Sequence, residues 1–127
     1  MLGTVLIVDD AKVVRSALGR ILKRCGYASI EAENGQVALD RCAENPDICV
    51  VFLDLNMPVM GGMEFLEKFS AQFADSQRPP VIVVSTETEM SSILKAISLG
   101  AHEYVMKPFD EDIIKSKMDM AGIAYES

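Results

Sequence analysis

The sequence predicts an α/β fold in which a parallel β-sheet is covered by helices on both faces. Three short runs, at residues 4–8, 48–53 and 81–84, are almost continuously apolar. Such runs are typical of parallel strands that are buried on both sides. Between them, apolar residues recur with helical spacing, so strands and helices alternate along the chain. This alternation predicts a doubly wound sheet built from right-handed crossovers.

The individual elements can be placed in order. Residues 29–32 and 104–106 are weaker strand candidates, which brings the number of strands to five. Asn34 and Asp110 are suited to cap the second and fifth helices, and Gly100 is suited to end the fourth. The helices are expected over residues 13–25, 34–44, 62–73, 90–99 and 110–121. Five βα units of this kind predict a flavodoxin-like (βα)5 sheet with the strand order 2-1-3-4-5.

Length and charge exclude several classes of protein. The 127 residues are enough for one domain with its own core and too few for two, so we expect a single domain over 1–127 with a core at about 3–122. The net charge of −7 argues against nucleic-acid binding. No apolar run approaches the roughly 20 residues that span a membrane, and the start of the chain does not resemble a signal peptide. We expect a cytoplasmic protein with no membrane contact.

The cysteines and the single histidine suggest no metal or redox chemistry. Cys25, Cys42 and Cys49 are odd in number and show no CxxC spacing. We interpret them as buried structural thiols in a reducing compartment. His102 is expected to be an exposed loop residue before the fifth strand.

Polar side chains stand at the expected carboxyl ends of four strands. Asp9 and Asp10 follow the first strand, Asp54 follows the third, Ser85 ends the fourth and Lys107 ends the fifth. In open α/β sheets, ligands bind outside the carboxyl ends of the strands, where the winding reverses. The sequence therefore predicts that three carboxylates, a hydroxyl and an ammonium group converge in one cleft.

This set of side chains predicts a metal site used for phosphoryl transfer. Each pair of carboxylates about 4 Å apart would repel by about 4 kcal/mol near a protein surface, so a bound cation is needed. Oxygen ligands without His or Cys indicate Mg²⁺, with Mn²⁺ as a possibility, rather than zinc. A metal, the Lys107 ammonium and the Ser85 hydroxyl around one carboxylate are what phosphoryl transfer to that carboxylate requires.

Several motifs in this order resemble the response-regulator receiver family. They are VLIVDD at residues 5–10, LDLNMP at 53–58 with Gly61 and Gly62, VST at 84–86 and YVMKPF at 104–109. The resemblance covers essentially the whole chain at the family's spacing. More narrowly, the chain is similar to the single-domain chemotaxis-type, CheY-like members.

The resemblance implies a role for each residue of the cleft. Asp54 is the implied phosphoacceptor, and Asp10 is implied to ligate the metal directly. Asp9 is implied to act mainly through a bound water, and Asn56 through its backbone carbonyl. Asp54 itself is the remaining metal ligand.

Further roles concern the phosphoryl group and the response to it. Lys107 and the Ser85 hydroxyl are implied to bind the phosphoryl oxygens, and the bond between Lys107 and Pro108 is expected to be cis. Ser85 and Tyr104 are the implied switch residues, since the rotamer of Tyr104 is expected to report the phosphorylated state.

Other positions are expected to adjust the rate at which the phosphoryl group is lost. Asn56 and Glu87 are expected to flank the path of the hydrolytic water. The chain departs from the common pattern at Thr86, where a small Ala or Gly is usual, and at Ala11, which follows the acidic pair. Thr86 is expected to narrow access to the site.

The implied function is that of a single-domain response regulator in a two-component phosphorelay, with a pathway in chemotaxis or motility. It accepts a phosphoryl group from a sensor histidine kinase or phosphotransfer protein and removes that group itself. It then binds a downstream protein through the face of helix four, strand five and helix five. It is not an enzyme beyond its own phosphorylation and dephosphorylation. A phosphate sink or a relay intermediate remains open.

Two other classes of function fit the sequence less well. A dehalogenase-type Mg²⁺-dependent phosphohydrolase would require Asp-x-Asp at the nucleophile, whereas the chain has Asp54-Leu55-Asn56 after the third strand. A flavodoxin-type electron carrier would require a phosphate-binding loop after the first strand. The chain has two carboxylates there, which would repel a flavin phosphate.

Overall fold

A computed structural model of the chain describes residues 1–126. The strands are β1 (Gly3–Val8), β2 (Tyr27–Ala32), β3 (Ile48–Leu53), β4 (Val81–Ser85) and β5 (Glu103–Met106). The helices are α1 (Lys12–Arg24), α2 (Gly35–Glu44), α3 (Gly62–Gln72), α4 (Met90–Ser98) and α5 (Glu111–Met120). A short 3₁₀ helix at Asp75–Gln77, before β4, was not predicted.

All five strands are parallel, in the order β2-β1-β3-β4-β5. This order confirms the predicted doubly wound topology. The chain winds in one direction from β1 to β2 and in the other from β3 to β5. The reversal therefore lies between β1 and β3, which is where a cleft forms at the carboxyl edge of such a sheet.

Two apolar cores lie on opposite faces of the sheet, which explains why the strand sequences are apolar without alternation. One face packs against α2, α3 and α4, and the other against α1 and α5. In β1, for example, Leu6 and Val8 face the first core, whereas Val5 and Ile7 face the second. Alternate residues of each strand therefore serve different cores.

The predicted capping residues are confirmed. The Asn34 side chain accepts a hydrogen bond from the Val37 amide at 2.9 Å, and Asp110 accepts one from the Ile113 amide at 2.9 Å. Gly100 follows α4 with a φ of +115°, a conformation that favours glycine after a helix.

The chain continues to pack beyond the predicted core limit at residue 122. Ile123 is buried against the core of α1 and α5. The Tyr27 hydroxyl donates to the Ala124 carbonyl at 2.6 Å, and the Glu126 amide donates to the Cys25 carbonyl at 2.8 Å. These contacts join the end of the described chain to the turn between α1 and β2.

The three cysteines are free thiols, as expected. Cys25 and Cys42 are buried, and burial raises the pKa of Cys42 to about 12. Cys49 differs from the expectation of a buried thiol, since it is partly exposed. Within residues 1–126, no helix has both the length and the apolar character needed to cross a membrane.

Candidate functional site

The sheet itself fixes the residues that follow its strands. The Asp9 amide donates to the Ala32 carbonyl at 3.1 Å, and the Asp54 amide donates to the Val8 carbonyl at 2.9 Å. The Lys107 amide likewise donates to Ser85 at 2.9 Å. Each bond extends the ladder one residue past a strand, so the side chains emerge at defined places on the same edge.

The structure brings the three predicted carboxylates together. Asp9, Asp10 and Asp54 each offer an oxygen, and these oxygens lie within 4.8 Å of one another. Asp9 and Asp54 are buried, whereas Asp10 is exposed at the mouth of the cleft. Because the donors are all carboxylate oxygens, the cluster could hold a hard divalent cation such as Mg²⁺.

Lys107 lies between the two buried carboxylates. Its Nζ donates to Asp9 Oδ2 at 2.8 Å and lies 3.7 Å from Asp54 Oδ2. The other Asp9 oxygen accepts a hydrogen bond from the Ala11 amide at 2.9 Å. The ammonium group is therefore closest to Asp9, although the sequence assigned it to the phosphoryl group on Asp54. The bond between Lys107 and Pro108 is cis, as expected.

The surroundings of Asp54 disfavour its charged form. Burial raises the pKa of the Asp54 carboxyl above its ordinary value, and the negative charge of Asp9 raises it further. Lys107 and the backbone amides of Asn56 and Leu55 oppose this rise. The Leu55 amide donates to Asp54 Oδ1 at 2.8 Å. A buried carboxylate of this kind, with one nearby ammonium, is suited to react or to bind a cation.

The loop after β3 approaches the backbone of Asp54 closely. A Cβ at Gly62 would overlap the Asp54 carbonyl oxygen and lie 2.8 Å from the Leu55 Cα. The Gly62 amide donates to the Leu55 carbonyl at 2.9 Å, which fixes the start of α3 against this loop. Asn56 is exposed here, beside the site. Val59 has a φ of +68°, which is unusual for a β-branched residue.

Ser85 and Tyr104 meet at the loop after β4. Ser85 is fully buried, and its Oγ accepts a hydrogen bond from the Glu87 amide at 3.2 Å. The half-buried Tyr104 donates its hydroxyl to the Glu87 carbonyl at 2.9 Å. The structure thus places the Tyr104 hydroxyl against this loop, and the expected rotation of its ring stays a prediction.

The Glu87 carboxylate is hydrogen-bonded within its own loop. Its Oε1 accepts a hydrogen bond from the Glu89 amide at 2.9 Å, immediately before α4. The expected role of this carboxylate beside the hydrolytic water also stays a prediction. The exposed Thr86 lies with Lys107 and Phe109 in a shallow groove next to the site.

The face formed by α4, β5 and α5, which is predicted to bind a downstream protein and is called the output face below, is rich in exposed apolar side chains. Within this face, the Lys117 ammonium lies 3.4 Å from the Glu103 carboxylate and so joins α5 to β5. The exposed apolar side chains on α4, β5 and α5 are Met90, Leu94, Ile97, Met106, Ile113 and Met120. Such a patch is typical of a surface that binds another protein.

Sequence reasoning missed one residue of the site and one contact of the histidine. Arg15 of α1 donates through Nη1 to the Asp9 carbonyl at 2.7 Å. The only sequence signal was a basic residue within an apolar helical pattern, which does not identify its partner. His102 is exposed, as predicted, but its Nδ1 accepts a hydrogen bond from the Val81 amide at 3.2 Å.

Comparisons with known proteins agree with this geometry. The sequence model of the response regulator receiver domain matches residues 5–119. The chain is 34% identical over 115 residues to the chemotaxis protein CheY homologue of Campylobacter jejuni, covering 90% of this chain and 88% of that protein. It is 31% identical over 116 residues to chemotaxis protein CheY1 of Helicobacter pylori, covering 91% of this chain and 93% of that protein.

A solved structure shows the same fold. The chain superposes on the chemotaxis protein CheY4 of Vibrio cholerae with a TM-score of 0.84 at 29% identity, covering 95% of this chain and 99% of that structure. Five parallel strands in the order 2-1-3-4-5 occur together with the family's sequence pattern. These findings favour a receiver over a dehalogenase-type hydrolase or a flavin-binding carrier.

Proposed function

Because this chain belongs to the response regulator receiver family and is CheY-like, we propose that it is a signalling switch that accepts a phosphoryl group on Asp54. The observation that most supports the proposal is the position of the Asp54 carboxylate, which lies in one acidic cluster with Asp9 and Asp10 and 3.7 Å from the Lys107 ammonium. A reacting carboxylate with cationic groups beside it suits phosphoryl transfer, in which negative charge spreads over the phosphoryl oxygens.

We propose that Mg²⁺ is held by Asp10, Asp54 and the backbone carbonyl of Asn56, with Asp9 acting mainly through a water. The burial of the four residues differs in a way that fits these roles. Asp10 is exposed and open to a hydrated ion, whereas Asp9 is buried with both oxygens already hydrogen-bonded. When bound, the ion would neutralise charge on the phosphoryl oxygens.

The proposed transfer is a displacement at phosphorus. An oxygen of Asp54 attacks the phosphorus of a phosphohistidine, a P–O bond forms and the P–N bond breaks. The leaving imidazole keeps the electron pair and is protonated. Lys107 and the Ser85 hydroxyl are the groups proposed to neutralise and orient the phosphoryl oxygens, and their position at the carboxyl ends of the neighbouring strands β5 and β4 supports this role. Water then hydrolyses the acyl phosphate, which restores the Asp54 carboxylate and releases inorganic phosphate.

The proposed donor is a sensor histidine kinase or a phosphotransfer protein. The proposed output is a downstream protein that binds the face of α4, β5 and α5. The exposed apolar side chains of this face support that assignment, and the chemotaxis names of the relatives support a motility pathway. Tyr104 lies in this face and contacts the loop that follows Ser85, so it is the proposed link between site and surface.

The test is labelling with a small phosphodonor. The protein is incubated with acetyl phosphate and Mg²⁺, and intact mass and acid-labile phosphate mapping follow. We expect one phosphoryl group on Asp54, no labelling of Asp54→Asn and full labelling of the exposed control Asp40→Asn. Labelling of Asp54→Asn at another residue, or no labelling of the parent under these conditions, would contradict the proposal.

A second measurement separates a switch from a phosphate sink. Beryllofluoride with Mg²⁺ is added to isotope-labelled protein, and amide chemical shifts are recorded. We expect changes that extend from the cleft to Tyr104 and Lys117. Changes confined to the cleft would instead favour a sink.

A further inference from the structure

Arg15 makes two short contacts beside the acidic cluster, although the proposed chemistry does not use it. Its side chain is largely buried, with 14% exposed. Nη1 donates to the Asp9 carbonyl oxygen at 2.7 Å, and Nε donates to Glu31 Oε1 at 2.7 Å. Arg15 therefore joins α1 to the residue that follows β1 and to the penultimate residue of β2.

The contact with Asp9 completes a set of bonds around one residue. The Asp9 amide donates to Ala32, its Oδ1 accepts from the Ala11 amide, and its Oδ2 accepts from Lys107. Arg15 binds the remaining polar group, the main-chain carbonyl. The turn that carries Asp9 and Asp10 is thus fixed at its backbone by a side chain from α1.

This contact differs from the one made by Lys107. In the proposed phosphorylated state Lys107 also has phosphoryl oxygens to bind, so its bond to Asp9 competes with that task. Arg15 faces the backbone rather than the carboxylates, so no such competition arises. The Arg15 contact can therefore hold the turn in the same place before and after phosphorylation.

Glu31 orients the Arg15 guanidinium and balances its charge. Its carboxylate accepts from Nε, and its own carbonyl accepts a hydrogen bond from Arg41 Nε at 3.2 Å. A guanidinium with one acceptor on Nε and another on Nη1 has a defined orientation. The carboxylate also balances the positive charge, so Arg15 adds little net charge beside the cluster.

We propose that Arg15, oriented by Glu31, is a positioning residue that sets Asp9 and Asp10 in the geometry that a divalent cation requires. The inference rests on the proposed function, since that function supplies the cation. Groups that orient metal ligands without touching the metal typically change metal affinity by about 10- to 100-fold when they are removed.

The test is the Mg²⁺ affinity of the folded protein, measured by calorimetric titration below the melting temperature. We expect the Kd for Mg²⁺ to rise about tenfold or more in Arg15→Ala and less in Glu31→Gln. Arg15→Lys should recover part of the loss, because an ammonium can reach one acceptor but cannot bind both in the same way. The matched control is Arg24→Ala, which removes an exposed arginine of the same helix that pairs with Glu111 at 2.6 Å.

A purely electrostatic role and a positioning role for Arg15 predict opposite changes in the Kd for Mg²⁺ of Arg15→Ala, so the measurement distinguishes them. If Arg15 acted only as a cation near three carboxylates, its removal would lower the Kd for Mg²⁺. If it acted only to stabilise the fold, urea unfolding in EDTA would change while the Kd of the folded protein stayed that of the parent. Either result, an unchanged or a lowered Kd, would overturn the inference.

The outcomes also separate this inference from the proposed function. If neither the parent nor Arg24→Ala binds Mg²⁺, the proposed function itself is wrong and Arg15 has nothing to position. If both bind and Arg15→Ala binds equally well, only the inference fails. Should Arg15→Ala not fold, Arg15→Lys decides the question, because it keeps the positive charge and changes only the geometry: a Kd equal to that of the parent would overturn the inference.

Discussion

Replacing Asp54 by asparagine should stabilise the protein in the absence of divalent cations. Asparagine has nearly the same shape, and its side-chain oxygen can still accept the hydrogen bond from the Leu55 amide. The substitution removes only the negative charge. Its effect on the free energy of unfolding therefore measures what that charge costs the fold.

The size of the effect follows from opposing contributions. Because an oxygen of Asp9 lies within 4.8 Å of one of Asp54, their repulsion at an effective dielectric constant of about 20 is about 3.5 kcal/mol or more. The exposed Asp10 adds about 1 kcal/mol, because water screens it. Lys107 at 3.7 Å attracts Asp54 by about 4.5 kcal/mol, so these pairwise contributions nearly cancel. What remains is the cost of burying the carboxylate, and we expect Asp54→Asn to stabilise the fold by about 1–3 kcal/mol.

The same argument predicts how the stability difference between the parent and Asp54→Asn changes with pH. Burial raises the pKa of Asp54 above its ordinary 3.8, so the folded protein binds this proton more tightly than the unfolded chain does. The stability of the parent should therefore fall as the pH rises through the raised pKa, relative to Asp54→Asn. The two proteins should be equally stable below the ordinary pKa and should differ most near neutral pH.

The assay is urea unfolding in EDTA at a series of pH values, followed by circular dichroism. For a domain of this size, each kcal/mol also corresponds to roughly 3–5 °C in Tm. The control Asp40→Asn changes an exposed carboxylate of α2 and should alter stability by less than about 0.5 kcal/mol. If Asp54→Asn is no more stable than the parent at neutral pH, or if the difference does not depend on pH, the reasoning about burial is refuted.

Four further predictions use the same structure. Asp10→Ala should lose the stabilisation by Mg²⁺. For the parent this stabilisation is about 2.7 kcal/mol when the Mg²⁺ concentration is a hundredfold above Kd, and thermal melting with and without Mg²⁺ measures it. Gly62→Ala should destabilise the fold by about 1–3 kcal/mol in urea, because the added Cβ would overlap the Asp54 carbonyl; full stability would show that the loop can move. A bulky charged side chain at Asn56 should lengthen the lifetime of the phosphorylated protein several-fold, and an unchanged decay of labelled protein would count against a role in hydrolysis. Tyr104→Ala should keep labelling of Asp54 but remove the difference in partner affinity between the two states, a difference typically about 5- to 150-fold when two sites are coupled.

The fold was largely predictable because burial on both faces leaves a strong pattern in the strands. The strand order and the caps at Asn34 and Asp110 were predicted and are confirmed. The helical pattern of α1 was less informative about its first turn, where Val13 is 75% exposed. Apolar periodicity identifies the helix, but it cannot show which apolar residue of the first turn stays exposed to solvent. The 3₁₀ helix before β4 was missed because so short a segment has no periodicity.

The site was predictable in its members but not in its hydrogen bonds. Strand ends on one edge of a parallel sheet must lie near one another, so the meeting of Asp54 with the acidic pair followed from topology. The hydrogen bond from Lys107 to Asp9 could not be predicted from topology, because the flexible lysine side chain can reach either Asp9 or Asp54. Arg15 could not be assigned to the site either, because its partner there is the backbone carbonyl of Asp9. Every residue has a backbone carbonyl, so the residue type does not indicate which carbonyl accepts a side-chain hydrogen bond.

The position of Lys107 suggests how the cleft is coupled to the output face. The ammonium group binds Asp9 at 2.8 Å and offsets part of the repulsion from Asp54. In the proposed function, a divalent cation in the acidic cluster and a phosphoryl group on Asp54 would both weaken this bond and favour contact between Lys107 and the phosphoryl oxygens. Lys107 follows β5, its amide is hydrogen-bonded to Ser85, and the same strand contains Tyr104. Under the proposed function, a change in charge at the cleft would therefore reach β5, the strand at the centre of the predicted output face, and the β4–α4 loop that binds the Tyr104 hydroxyl begins next to Ser85.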